Sequence, residues 1–136
     1  MGRSALYAAR LASDAYRMQQ TFRRVVVVAM DAYLRNAMSA RLQPHAPGGF
    51  VASASLDAAA PDDIVLVPER ECPPARCQVL ARQGARIIIL SALPSDRQRA
   101  AYARAGADAY VTLSTDPTAL IGAVSQQPTG ALAPLP

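Results

Sequence analysis

Residues 86–112 read RIIILSALPSDRQRAAYARAGADAYVT, and this stretch decides the fold. The apolar run Ile87-Ile88-Ile89-Leu90 suits a strand buried on both faces. Ser91 and a proline-containing loop end it. Ser95, with Gln98 three residues on, is a capping box that opens an amphipathic helix over Asp96 to Arg104. Ala105-Gly106-Ala107 stops that helix, and a second short strand covers Ala109 to Thr112. Strand, helix and strand in this order make a parallel unit. Its functional edge, at the carboxyl ends of the strands, carries Ser91 and Leu113.

The same alternation continues on both sides. Arg23 and Arg24 precede Val25-Val26-Val27-Val28, four valines that suit a central parallel strand. Asp31 then caps a helix carrying Tyr33, Leu34, Ala37, Met38 and Leu42, ended by the Pro/Gly-rich residues 44–49. A weak strand covers Phe50 to Ala54. Only one helical turn, Leu56 to Ala60, fits before Pro61. Asp62 and Asp63 lead into a third strand, Ile64 to Val67, with Pro68 directly after it. A short helix spans Ala75 to Gln83, with Gly84 as its stop. After the fifth strand, Thr115 or Asp116 caps a last helix with Pro117 at its first position and Leu120, Ile121 and Val124 as its stripe. The pattern implies an α/β chain with a doubly wound, five-stranded parallel sheet of order 2-1-3-4-5, flavodoxin-like.

Residues 4–22 place Tyr7, Leu11, Ala15, Met18 and Phe22 on one helical stripe. Arg3, Arg10, Arg17 and Arg24 recur every seven residues beside it. The stripe fits a helix packed on its own domain, a dimerisation helix or a membrane-surface helix. Leu11 and Met18 are therefore interface candidates, with Leu120 and Val124 of the uncharged last helix. Past Asp116 no charge occurs through Pro136, and the end of the chain reads as a linker towards a further domain. The expected organisation is an N-terminal helical extension over 1–22, one domain over 23–126 and a tail over 127–136.

Composition removes several kinds of chemistry. The 136 residues suit one domain with a modest core. All 14 basic residues are Arg, so no lysine is present for a Schiff base or a lysine-type phosphate loop. A net charge of +4 is too small to argue nucleic-acid binding. The longest apolar tract, Val25 to Met30, is far short of a membrane span, and arginines interrupt residues 1–22. A cytoplasmic location is the expectation. Cys72 and Cys77, five apart in CPPARC, lack the spacing of a zinc or redox pair and read as free thiols. His45 stands alone in its loop. Neither a metal nor a cofactor is expected.

From about Arg24 to Ser125 the chain resembles the receiver domain of response regulators, with the strongest likeness over Arg86 to Val111. In that family an acidic pair after strand 1 holds magnesium; those places fall on Ala29 and Met30. The phosphoryl-accepting aspartate ends strand 3, and its place falls on Pro68. A lysine follows strand 5, and its place falls on Leu113. The Ser or Thr that ends strand 4 is matched by Ser91, and the aromatic on strand 5 that moves with it by Tyr110. The segments holding the family's helices 2 and 3 are shortened.

The resemblance thus implies a pseudo-receiver without a route to aspartyl phosphorylation, since Pro68 offers neither a nucleophile nor an N–H. Ser91 is expected to bond its own loop, and the Tyr110 hydroxyl to reach water. The expected function is a non-enzymatic, phosphorylation-independent regulatory domain of an atypical response regulator. It would act by homodimerisation or protein docking, and DNA binding would fall to an output domain outside these residues. Two alternatives stay open. One is a small-molecule sensor whose apolar pocket is lined by Ala29, Met30, Pro68, Ser91 and Leu113; the other is a flavodoxin-like enzyme.

Overall fold

A computed structural model describes residues 23–113 and 117–125. The elements are β1 (Val25–Val28), α1 (Ala32–Leu42), β2 (Phe50–Ser53), β3 (Ile64–Pro68), α2 (Pro74–Arg82), β4 (Arg86–Ser91), α3 (Asp96–Ala105), β5 (Ala109–Thr112) and α4 (Thr118–Ser125). All strand pairings are parallel, and the order is β2-β1-β3-β4-β5. The expected sheet is therefore the observed one. β3 and β4 each run one residue further than the sequence indicates, so Pro68 and Ser91 are strand residues, and Pro68 stands opposite Leu90. Between β2 and β3 there is only a 3-10 turn, Leu56–Ala58. The proposed extension over 1–22, the tail over 127–136 and the capping residues Thr115 and Asp116 lie outside the described residues.

Alternation along β1 divides the core in two. Val25 and Val27 join Met38, Leu42, Ile88, Leu90, Leu120 and Val124 on the side covered by α1 and α4. Val26 and Val28 join Cys72, Cys77, Leu80, Ile87, Ile89 and Tyr102 on the side covered by α2 and α3. All four valines are at most 1% exposed, which is why this strand shows no polar alternation.

Leu120 and Val124 are corrected by this packing. Both are buried against the chain's own sheet, so the exposed face of α4 is made by Thr118, Ala119 and Ser125 instead. An apolar stripe on a terminal helix satisfies an internal face as readily as an interface, and here the sheet takes it.

At the amino edge of the sheet, Arg24 grips Asp63 with Nε at 3.0 Å and Nη2 at 2.6 Å. Asp63 also accepts from the Ala60 N–H, and Arg24 donates to the Ala58 carbonyl. Asp63, directly before β3, thus locks the short β2–β3 connection, at the opposite end from the site.

Candidate functional site at the carboxyl edge of the sheet

In a doubly wound sheet the strand order reverses beside β1 and β3, and ligands sit beyond the carboxyl ends there. The side chains at that edge are now placed. Ala29 is fully buried, and Met30 turns out to solvent, 74% exposed. Pro68 is half-buried, and Ser91 is fully buried. Leu113 is half-buried and packs on the α1–α4 side.

Two acids that the sequence reading passed over organise this edge. Directly after Pro68, a 3-10 turn, Glu69–Glu71, carries Glu69 back over the strand ends. Its Oε1 accepts from Ser91 Oγ at 2.9 Å, and its Oε2 accepts from the Tyr110 hydroxyl at 2.9 Å. One carboxylate therefore joins the turn after β3 to β4 and β5. Glu71 Oε1 accepts from the Met30 N–H at 2.8 Å, joining the same turn to the end of β1.

Tyr110 is fixed on every side. It is only 4% exposed. Its ring stacks with Tyr102, centroids 5.9 Å apart, and the Arg99 guanidinium carbon lies 5.1 Å from its centroid. Arg99 also donates to the Tyr110 carbonyl. The Tyr102 hydroxyl lies 2.8 Å from the Cys72 carbonyl and 3.0 Å from that of Glu69, placing its single proton between them. Burial, with the nearby acidic groups, pushes the Tyr102 phenol up to about 12. It stays protonated and keeps donating.

Two expectations are thereby overturned. Ser91 bonds Glu69 rather than its own loop, and the Tyr110 hydroxyl turns inward to Glu69 rather than to water. The register match to the family places no acid at the end of β3, so it gives the two hydroxyls no common acceptor. The dipeptide Pro68-Glu69 was the available signal, since a turn straight after a strand moves the reach of the next side chain by one residue.

The β1–α1 corner does not suit a magnesium ion. Arg35 Nη1 donates to the Ala29 carbonyl at 2.7 Å, which sets a fixed positive charge where a divalent ion would need hard oxygens. Asp31 is occupied as the cap of α1, accepting from the Tyr33 and Leu34 N–H groups. Among the described residues no three His, Cys, Asp or Glu side chains converge as a metal site.

A cavity of about 280 Å³ opens between α1 and α4, and of the five residues named for an apolar pocket Leu113 lines it. Cys72 and Cys77 are free, buried in the core beneath α2, and burial raises their thiols to about 11 and about 12. Leu11 and Met18 lie outside the described residues. No described helix is long and apolar enough to cross a membrane.

No family model and no curated protein matches the chain. Solved structures do. The chain is similar to the DrrB receiver domain in its BeF3-activated form, with 24% identity and a TM-score of 0.60, over 76% of this chain and 94% of that one. It is also similar to a LuxR-family two-component response regulator from Aurantimonas sp. SI85-9A1, with 25% identity and a TM-score of 0.60, over 73% and 79%. A putative pilus assembly-related protein from Burkholderia pseudomallei K96243 matches at 18% identity and a TM-score of 0.56, over 80% and 96%. With the 2-1-3-4-5 parallel sheet and the placement of its helices, this likeness gives the described residues a receiver-like fold.

Proposed function

We propose that this chain is a phosphorylation-independent, receiver-like regulatory module that works through protein contacts, as a homodimer or docked on a partner. One observation carries the reading: the Glu69 carboxylate holds Ser91 and Tyr110 at once. The groups that would answer a phosphoryl anion are already engaged by a permanent one. Pro68, at the acceptor's place, supplies no oxygen nucleophile, and Arg35 sits where the ion would be needed. Shape and surface then carry the signal. The LuxR-family regulator among the similar structures supports a transcriptional output, with DNA contacted by another domain.

A second reading keeps the same module and changes its client. The likeness to the putative pilus assembly-related protein extends over 80% of this chain, which favours a docking role in a protein assembly.

The test is chemical. The protein is incubated with acetyl phosphate or phosphoramidate and magnesium, and its intact mass is measured. The mass stays unchanged; a gain of one phosphoryl group on Glu69, Glu71 or any aspartate would overturn the proposal.

A further inference from the structure

The cavity between α1 and α4 reaches down to the sheet. Leu90 of β4 lines it although this side chain is only 1% exposed, and so do Met38 of α1 and Leu120 of α4, both buried. Its volume of about 280 Å³ lies at the lower end of small-molecule sites. The polar side chains of the lining are Tyr33, Arg41 and Thr112, all exposed. No aspartate or glutamate lines it. The cavity therefore combines an apolar floor with a rim that carries one positive charge and two hydroxyls.

We propose that this cavity is a binding site for a small aromatic carboxylate, with the ring over Leu90 and Leu120 and the carboxylate on Arg41. Three side chains specify that occupant. Tyr33 leaves an aromatic ring 84% exposed beside an apolar opening, a face on which another ring can stack. Met38 offers a flexible thioether, which packs well against flat rings. Arg41 brings a planar guanidinium, the group best matched to a carboxylate. Arg41 is already engaged within the protein, but it is an exposed residue with five N–H donors, so an anion can share it. With a cation in the lining and no acid, the charge of the site is complementary to an anion. The cavity belongs to the α1–α4 side of the sheet, whereas Tyr102 and Tyr110 belong to the core on the other side. The inference therefore goes beyond the regulatory reading and does not rest on it.

The experiment titrates the full chain, carrying ¹³C-methyl methionine, with 1-naphthoate and with its uncharged analogue 1-naphthamide. A probe of about 13 non-hydrogen atoms is expected to bind with a Kd of about 1 mM. The Met38 methyl signal should shift and saturate, while that of Met30, 74% exposed at the end of β1, stays in place. Naphthoate should bind about threefold to fivefold more tightly than naphthamide. Arg41→Gln should abolish that preference and leave naphthamide unchanged. Ala37→Trp, which puts a bulky ring at an exposed position of the lining, should weaken both probes at least tenfold. Absence of a saturable Met38 shift overturns the site, and so does binding that Ala37→Trp leaves intact. Equal affinity for the two probes, or a preference that survives Arg41→Gln, overturns the assignment of a carboxylate.

Discussion

Glu69 is the residue on which the carboxyl edge turns. Its two hydrogen bonds involve a charged acceptor, and each such bond contributes about 1.5–3 kcal/mol when its partners are withdrawn from water. Ser91 is fully buried, so removing the carboxylate strands its hydroxyl. Glu69→Ala is expected to lower the unfolding free energy by about 2–4 kcal/mol, and Ser91→Ala added to it should cost almost nothing more. A double-mutant cycle read by urea unfolding checks this; additive losses would mean that the two side chains do not act together. Ser91 was legible as a functional-edge residue because strand length fixes which side chain ends a strand, and Tyr110 through the family resemblance alone. Their partner was not, because a hydrogen bond between residues 22 apart depends on where a turn swings its side chain.

At the scale of elements, the caps Asp31 and Ser95 and the stop at Gly106 were legible because each acts over a few neighbouring residues. Asp31 and Ser95 accept from N–H groups of the helices they open. Gly106 closes α3 in the left-handed region at φ +97, as the Ala-Gly-Ala stop implies. A Cβ at Gly106 would also lie 2.8 Å from that of Ala81, so this glycine lets α3 pass close to α2. Gly106→Ala therefore meets two penalties. The backbone conformation alone costs about 1–2 kcal/mol, and the contact with Ala81 adds to it. Thermal unfolding should show the loss, and an Ala81→Gly partner should recover part of it. The β2–β3 connection was legible as short, and the structure adds the reason it holds: Arg24 and Asp63 clamp it from β1 and the start of β3.

For the whole molecule, the core on the α2–α3 side carries titratable groups that are stable only when neutral. Burial raises Cys72 from 9.0 to about 11 and Cys77 from 9.0 to about 12. A folded-state value above the unfolded one means that the unfolded chain loses its protons first as pH rises. The stability from keeping these thiols protonated is complete below pH 9 and is lost between 9 and about 12. The urea midpoint is expected to be flat near neutrality and to fall above pH 9, with a shallower fall in a Cys72→Ala, Cys77→Ala chain. A midpoint independent of pH over that range would show that the thiols are exposed on the folded protein. The same burial predicts slow thiol labelling of the native protein, governed by opening of the core.

The sequence by itself determined the strand–helix alternation, the parallel sheet and the two-sided burial of β1. These follow from periodicity, capping and residue chemistry, all of which act over a few neighbouring positions. Only the tertiary structure decided that Glu69 would take Ser91 and Tyr110, that Arg35 would fill the β1 corner, and that Leu120 and Val124 would face inward. The Glu69 bonds depend on which distant side chains the sheet brings within about 3 Å, and the burial of Leu120 and Val124 on which face of the sheet α4 covers; spacing along the chain encodes neither.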